Sequence, residues 1–160
     1  MNLNDKISKY LITNSSKIKI NSKEVKKNDI FIALKGKKYH GNKFINDAFK
    51  AGAKYCITDK QHRQLNTNKN ILQLDNIFSF LKTLTIKKRS LFCGEVIAIT
   101  GSAGKTSLKE YLRFFLEKKY MVSASIKSYN NKLGVMISIL NININSKFAI
   151  FEIGTNNFFE

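Results

Sequence analysis

Val96-Ile97-Ala98-Ile99-Thr100-Gly101-Ser102-Ala103-Gly104-Lys105-Thr106-Ser107 decides how this chain reads. Residues 96 to 100 suit a buried strand, and a glycine-bearing turn follows directly. Leu108, Tyr111, Leu112, Phe115 and Leu116 then recur at the i, i+3, i+4, i+7 and i+8 spacing of a helical core stripe. That order gathers backbone N–H groups, a helix N-terminus and the Lys105 ammonium around one point, the arrangement that holds a polyphosphate. A tight turn that merely contains a lysine is the plainer alternative. The joint occurrence of strand, turn, Lys-Thr and helix favours the phosphate site.

The spacing is shorter than the common G-x-x-x-x-G-K-[ST] pattern, because Ile99 stands five places before Gly104 and Gly101 only three. The chemistry survives that change. Gly101 and Gly104 permit backbone angles and close approach that a Cβ would hinder. Lys105 reaches the β/γ-phosphates in this reading, and the Thr106 hydroxyl ligates Mg²⁺.

A second element extends the site. Phe148-Ala149-Ile150-Phe151-Glu152-Ile153 reads as an apolar strand interrupted by one carboxylate. A buried carboxylate is costly unless it is paired, hydrogen-bonded or metal-bound. Ligands of open parallel sheets gather beyond the carboxyl ends of the strands, so Glu152 and Thr106 are expected to share one Mg²⁺. A solvated strand end is the alternative. Asn130-Asn131 precedes a helical run from about Gly134 to Leu140, where capping is the default role and an approach to the phosphates the other.

The rest of the chain reads as α/β. Ile30–Leu34, Tyr55–Thr58, Ile71–Leu74 and Met121–Ala124 are expected strands. Phe44, Ile45, Ala48 and Phe49 mark a helix ended by Gly52, and Ile77, Phe78, Phe80, Leu81 and Leu84 mark another. Near-continuous apolar strands alternating with helices indicate parallel sheets. A small N-terminal α/β domain over 1–92 and a P-loop parallel-sheet domain from 93 are expected, divided near Leu91 to Glu95. Lys118 and Lys119 are expected in the last turn of the helix after the glycine turn.

The 160 residues carry 28 Lys+Arg against 11 Asp+Glu, a formal net charge of +17. Only Arg63, Arg89 and Arg113 are arginines, and no aromatic nucleic-acid motif or basic stripe stands out beyond Lys87-Lys88-Arg89. The excess therefore reads as lysines spread over exposed faces, with no nucleic-acid partner. Cys56 and Cys93 are too few for a disulfide framework or a zinc site, and His40 and His62 are isolated. No signal-peptide core and no run near the ~18 apolar residues of a membrane span is present, so a cytoplasmic protein is expected.

Three motifs together, Thr100-Gly101-Ser102-Ala103-Gly104-Lys105-Thr106-Ser107-x-Lys109-Glu110, Asn130-Asn131-x-x-Gly134-Val135 and Glu152-x-Gly154-x-Asn156, resemble the Mur ligases. The Lys23 to Gly36 stretch resembles that family's N-terminal domain, which holds a uridine nucleotide. The continuation past Ser107 and the paired asparagines point to the members that add D-alanyl-D-alanine. The resemblance implies ATP-dependent amide ligation of D-alanyl-D-alanine to UDP-N-acetylmuramoyl-tripeptide through an acyl phosphate, in peptidoglycan precursor synthesis, by a monomer. It further implies that Gly101, Ser102, Ala103, Gly104, Lys105, Thr106 and Ser107 bind ATP, that Thr106 and Glu152 serve Mg²⁺, that Asn131 lies near the nucleotide, and that Ser22 lies near the uridine nucleotide. Lys23 stands where the family usually has arginine, a point charge in place of a bidentate fork. Family members continue well beyond this length, so the chain is expected to be an N-terminal part that binds nucleotide without ligating by itself. A non-catalytic nucleotide-binding module and an unrelated P-loop NTPase are the competing functions.

Overall fold

Among the described residues, which are 2–13, 17–36, 38–60, 70–126 and 129–154, the computed structural model holds two separate parallel sheets. Packing divides the chain into two units, Met1–Phe80 and Leu81–Glu160. The division falls inside helix α3 (Ile77–Leu91), which follows helices α1 (Leu3–Thr13) and α2 (Ile45–Lys50).

The first unit is built on strands β1 (Ile18–Lys19), β2 (Ile30–Ala33), β3 (Tyr55–Thr58) and β4 (Ile71–Gln73), which lie side by side in sequence order, all parallel. β2 is buried at all four positions because it is internal and its side chains pack on both faces. Val25, Phe31, Ala33, Ile45, Ala48, Ala53, Cys56 and Ile71 form one apolar cluster with Phe49 against it. Burying an aliphatic side chain of this size contributes about 1.5–3 kcal/mol, and Ile7, Leu11, Ile18, Ile30, Ile32 and Ile57, fully buried outside this cluster, add to the stability of the unit. Asp29 anchors the start of β2, accepting from Lys26 N at 2.9 Å and Lys17 N at 3.3 Å. Gly52 ends α2 at φ 101°, and Lys27 packs where its Cβ would be, so glycine is required twice over. Cys56 is buried and its thiol is pushed up to about 12 by desolvation, which rules it out as a nucleophile.

Helix α1 goes unread in the sequence, although Leu3, Ile7 and Leu11 repeat at i, i+4 and i+8. Ile7 and Leu11 are fully buried, and the Asn2 side chain accepts from Asp5 N at 2.8 Å to start the helix.

The second unit contains β5 (Glu95–Ile99), α4 (Lys105–Glu117), β6 (Val122–Ala124), α5 (Lys132–Leu140) and β7 (Phe148–Glu152). Its strands are parallel in the order β5-β7-β6, with Ile99 opposite Glu152. Phe92, Ile142, Ala149 and Phe151 form its apolar cluster, with Ile139 and Ile144 packed on it. No helix among the described residues is long and apolar enough to cross a membrane.

Four expectations for this unit need correction. The α4 stripe of Leu108, Tyr111 and Phe115 is exposed, at 49%, 65% and 62%. Leu112 and Leu116, the other members of the expected stripe, are half-buried, and they form the inward face with Lys109, which is fully buried and was not part of the stripe. Tyr111 and Phe115 are therefore not core. Strand β5 was expected to be buried; as the edge of a three-stranded sheet it buries only Ile99 fully and leaves Val96 36% exposed. Lysines are not confined to exposed faces, since Lys88 and Lys109 are 1% and 0% exposed. Burial lowers the Lys88 pKa from its ordinary value. Lys118 caps the C-terminus of α4 and Lys119 lies beyond it, one step past the expected last turn.

Gly134, in α5, is held against the preceding loop: a Cβ there would stand 2.5 Å from Tyr129 Cα and 2.6 Å from its carbonyl carbon. Helix propensity favours alanine by about 1 kcal/mol, but that clash is with backbone and outweighs it. Gly134→Ala is expected to lower unfolding stability by about 2 kcal/mol net. An unchanged denaturation midpoint would mean the loop is not seated as described.

Candidate phosphate and metal site

The site is assembled from the ends of β5 and β7. β5 delivers the chain into the turn at Thr100, and the turn uses two positive φ angles, 138° at Gly101 and 76° at Gly104. These are conformations that L side chains rarely adopt, which explains both glycines. Gly104 is the N-cap of α4 and offers no side chain, and the first turn of α4 carries no acidic residue. Its free N–H groups and the positive end of the helix dipole are thus open to an anion. Gly101, Ser102, Ala103, Gly104 and Ser107 are exposed, so the loop backbone is accessible. Lys105 Nζ donates to Gly101 O at 2.5 Å, holding the ammonium over the loop.

Thr106 and Glu152 meet, as the sequence suggested. Thr106 Oγ1 donates to Glu152 Oε2 at 2.8 Å, across 46 residues of chain. Glu152 is 6% exposed, so the solvated-end alternative does not describe it. Its Oε1 accepts from Asn130 Nδ2 at 3.4 Å, and its backbone N–H donates to Ser125 Oγ at 3.1 Å. Lys109 Nζ lies 4.0 Å from Glu152 Oε2. A hydroxyl and one carboxylate, both hard oxygen donors, suit Mg²⁺ that keeps its other positions for phosphate and water. No group of three or more His, Cys, Asp or Glu able to hold a metal occurs among the described residues.

The paired asparagines divide their work. Asn131 caps α5, its Oδ1 accepting from Gly134 N at 2.8 Å, which is the default role. Asn130 is the one that reaches the carboxylate, and its carbonyl accepts from Gly154 N at 2.7 Å. Asn156, the last member of the third motif, lies outside the described residues, as does His62.

Lys109, Ser125 and Asn130 were missed as site residues. For Lys109 a signal existed: it lies three residues past Thr106 and so on the same helix face. Ser125 and Asn130 carry no such signal, because their partners lie 27 and 22 residues away.

In the first unit, Ser22 is half-buried in a 3₁₀ turn, Ser22–Glu24, capped by the Asn21 side chain accepting from Lys23 N at 3.1 Å. His40 is not isolated. Its Nε2 is 2.7 Å from Asp59 Oδ1 and its Nδ1 accepts from Asn42 N at 3.1 Å, while Thr58 Oγ1 donates to Asn42 Oδ1 at 2.5 Å. This polar group gathers at the C-terminal end of β3.

Comparison with known proteins agrees with the resemblance read from the motifs. The Mur ligase middle domain matches residues 99–160, and the Mur ligase family catalytic domain matches residues 15–103. UDP-N-acetylmuramoyl-tripeptide–D-alanyl-D-alanine ligase of Rickettsia prowazekii is 40% identical over 143 residues, 89% of this chain and 31% of that protein. The ligase of the same name from Borreliella burgdorferi is 32% identical over 151 residues, 86% of this chain and 32% of that protein. Among solved structures, MurF ligase of Thermotoga maritima in complex with ADP aligns with a TM-score of 0.66 at 32% identity, over 89% of this chain and 32% of that one. The corresponding ligase of Acinetobacter baumannii aligns with a TM-score of 0.70 at 27% identity, over 90% of this chain and 32% of that one. The chain spans about a third of the length of the curated relatives it matches. With a family model covering more than half of its residues and the glycine turn, Thr106 and Glu152 assembled at one sheet edge, the chain belongs to the Mur ligase family.

Proposed function

We propose that this chain serves the ATP-dependent ligation of D-alanyl-D-alanine to UDP-N-acetylmuramoyl-tripeptide, contributing the phosphate cradle and the first metal site. Residues 1–92 are assigned to the uridine-nucleotide end of the substrate, with Ser22 beside it, and 93–160 to ATP. The observation that carries the reading is the Thr106–Glu152 hydrogen bond at the mouth of the glycine turn. The names of the relatives supply the substrates.

In this reading the backbone N–H groups from Gly101 to Ser107 hold the phosphate oxygens, and Lys105 offsets charge on the transferring phosphoryl group. Thr106 and Glu152 hold Mg²⁺, which when bound neutralises the phosphate oxygens. The terminal carboxylate of the tripeptide attacks the γ-phosphorus, forming an acyl phosphate and releasing ADP. The D-alanyl-D-alanine amine then displaces phosphate to form the amide, losing one proton. Asn131, whose side chain caps the N-terminus of α5, is assigned a position near the nucleotide.

Phosphate release from ATP, measured with both substrates, with each alone and with neither, tests the assignment. Release that requires both substrates supports ligation. Binding of MgATP without such release reduces the chain to a nucleotide-binding module. Absence of any MgATP binding overturns both.

A further inference from the structure

Glu152 has a charged neighbour that phosphate binding leaves unused. Lys109 shares a helix face with Thr106, and its side chain is 0% exposed. Its Nζ donates to Ser125 O at 2.8 Å and stands 3.4 Å from Glu110 Oε1 and 4.0 Å from Glu152 Oε2. A buried ammonium persists only where acceptors and opposite charge compensate it. Of its two carboxylate neighbours, Glu110 is 43% exposed and also faces Arg113 at 3.5 Å, whereas Glu152 is buried.

Ser125 fixes this arrangement from a third element. Its carbonyl accepts a hydrogen bond from Lys109 Nζ, its hydroxyl accepts from Glu152 N, and its own N–H donates to Ile150 O at 2.9 Å. The ammonium is thus pinned by backbone beyond the end of β6, beside the carboxylate at the end of β7. It cannot leave for water without giving up a buried hydrogen bond.

We propose that Lys109 is a positioning residue that makes divalent-metal binding at Thr106 and Glu152 depend on the nucleotide. The proposal rests on the phosphate-site reading given above. The fixed positive charge cancels that of Glu152, so this site by itself presents no net buried negative charge to a free cation. Phosphate oxygens supply the missing charge, and the metal is held when they arrive. The lysine also keeps Glu152 turned toward Thr106 in the absence of metal.

Mn²⁺ binding to the full chain, followed by its electron paramagnetic resonance signal with and without ATP, tests this. In the wild type, ATP is expected to strengthen Mn²⁺ binding strongly. Lys109→Met is expected to raise affinity for free Mn²⁺ by about tenfold and to shrink the enhancement by ATP correspondingly. Lys109→Arg keeps the charge and is expected to behave as wild type. Loss of packing alone would weaken metal binding in both variants, so the gain in free-metal affinity is the distinguishing sign. If ATP enhances Mn²⁺ binding in the wild type but Lys109→Met leaves free-Mn²⁺ affinity unchanged or lower, this proposal falls and the site reading stands. An equal gain in Lys109→Arg also overturns it. A wild type in which ATP has no effect on Mn²⁺ overturns both. Should Lys109→Met be unfolded without metal, recovery of its circular dichroism on adding Mn²⁺ supports the proposal, and failure to recover overturns it.

Discussion

Replacing Lys105 by alanine is expected to weaken MgATP binding by about 100-fold while leaving the chain folded. Charge-assisted hydrogen bonds to phosphate are among the stronger polar contacts, and Lys105 is the side-chain cation attached to the glycine turn itself. Among the described residues it donates to Gly101 O, a neighbour in the same loop, and this exposed bond adds little to folded-state stability. Thermal denaturation should therefore move by no more than a degree or two, given the small net worth of such an exposed bond. Isothermal titration with ATP in the presence of Mg²⁺ gives the affinity. An unchanged dissociation constant would remove the phosphate-cradle assignment altogether.

Glu152→Gln is expected to erase the contribution of Mg²⁺ to ATP binding, a loss of about 100-fold measured in excess Mg²⁺. The amide keeps the size of the side chain and can still accept from Thr106, so packing is preserved. What disappears is the buried negative charge. ATP affinity measured with a chelator in place of Mg²⁺ should change by no more than about twofold, because Glu152 is not a phosphate ligand in this reading. Stability should also fall, by about 2 kcal/mol, since Lys109 loses its buried counter-charge and keeps Ser125 O and the half-exposed Glu110. Equal affinities for ATP and MgATP in the wild type would dispose of the metal assignment instead.

Most strands of the two sheets were legible because each is a short apolar run closed by polar or glycine-bearing turns; β1, only Ile18–Lys19, offers no such run and went unread. Ile30–Ala33, Tyr55–Thr58 and Phe148–Glu152 needed no more than that. The two poles of the site were legible for a related reason: Lys105 and Thr106 follow a glycine turn at fixed spacing, and Glu152 violates an apolar strand. The side of α4 that faces inward was not legible. Its apolar residues form one broad stripe of two adjacent rows, Leu108-Tyr111-Phe115 and Leu112-Leu116, and the second row is continued toward the helix start by Lys109, which hydropathy assigns to the surface. Burial followed the second, because the buried hydrogen bond of Lys109 to Ser125 and its approach to Glu152 fix the helix rotation. Such long-range polar pairings leave no periodic trace in a sequence. The split between Asn130 and Asn131 is of the same kind, since adjacent identical residues are distinguished only by which one lies before a helix start.

The strand order β5-β7-β6 has a kinetic consequence. The phosphate turn follows β5, yet β5 has no partner within its sheet until β7, the last of the three to be synthesised, inserts between it and β6. The first sheet, by contrast, adds each strand beside the one just made. Parallel pairings between distant segments form slowly, because loop closure precedes any gain from contact. A chain that has emerged from the ribosome only as far as Ala124 carries its glycine turn and its lysine but neither the carboxylate nor the strand that holds the turn in place. On the proposed function, nucleotide affinity is acquired only once β7 has been made, and a nascent chain sampled earlier should have its first sheet complete and no grip on ATP.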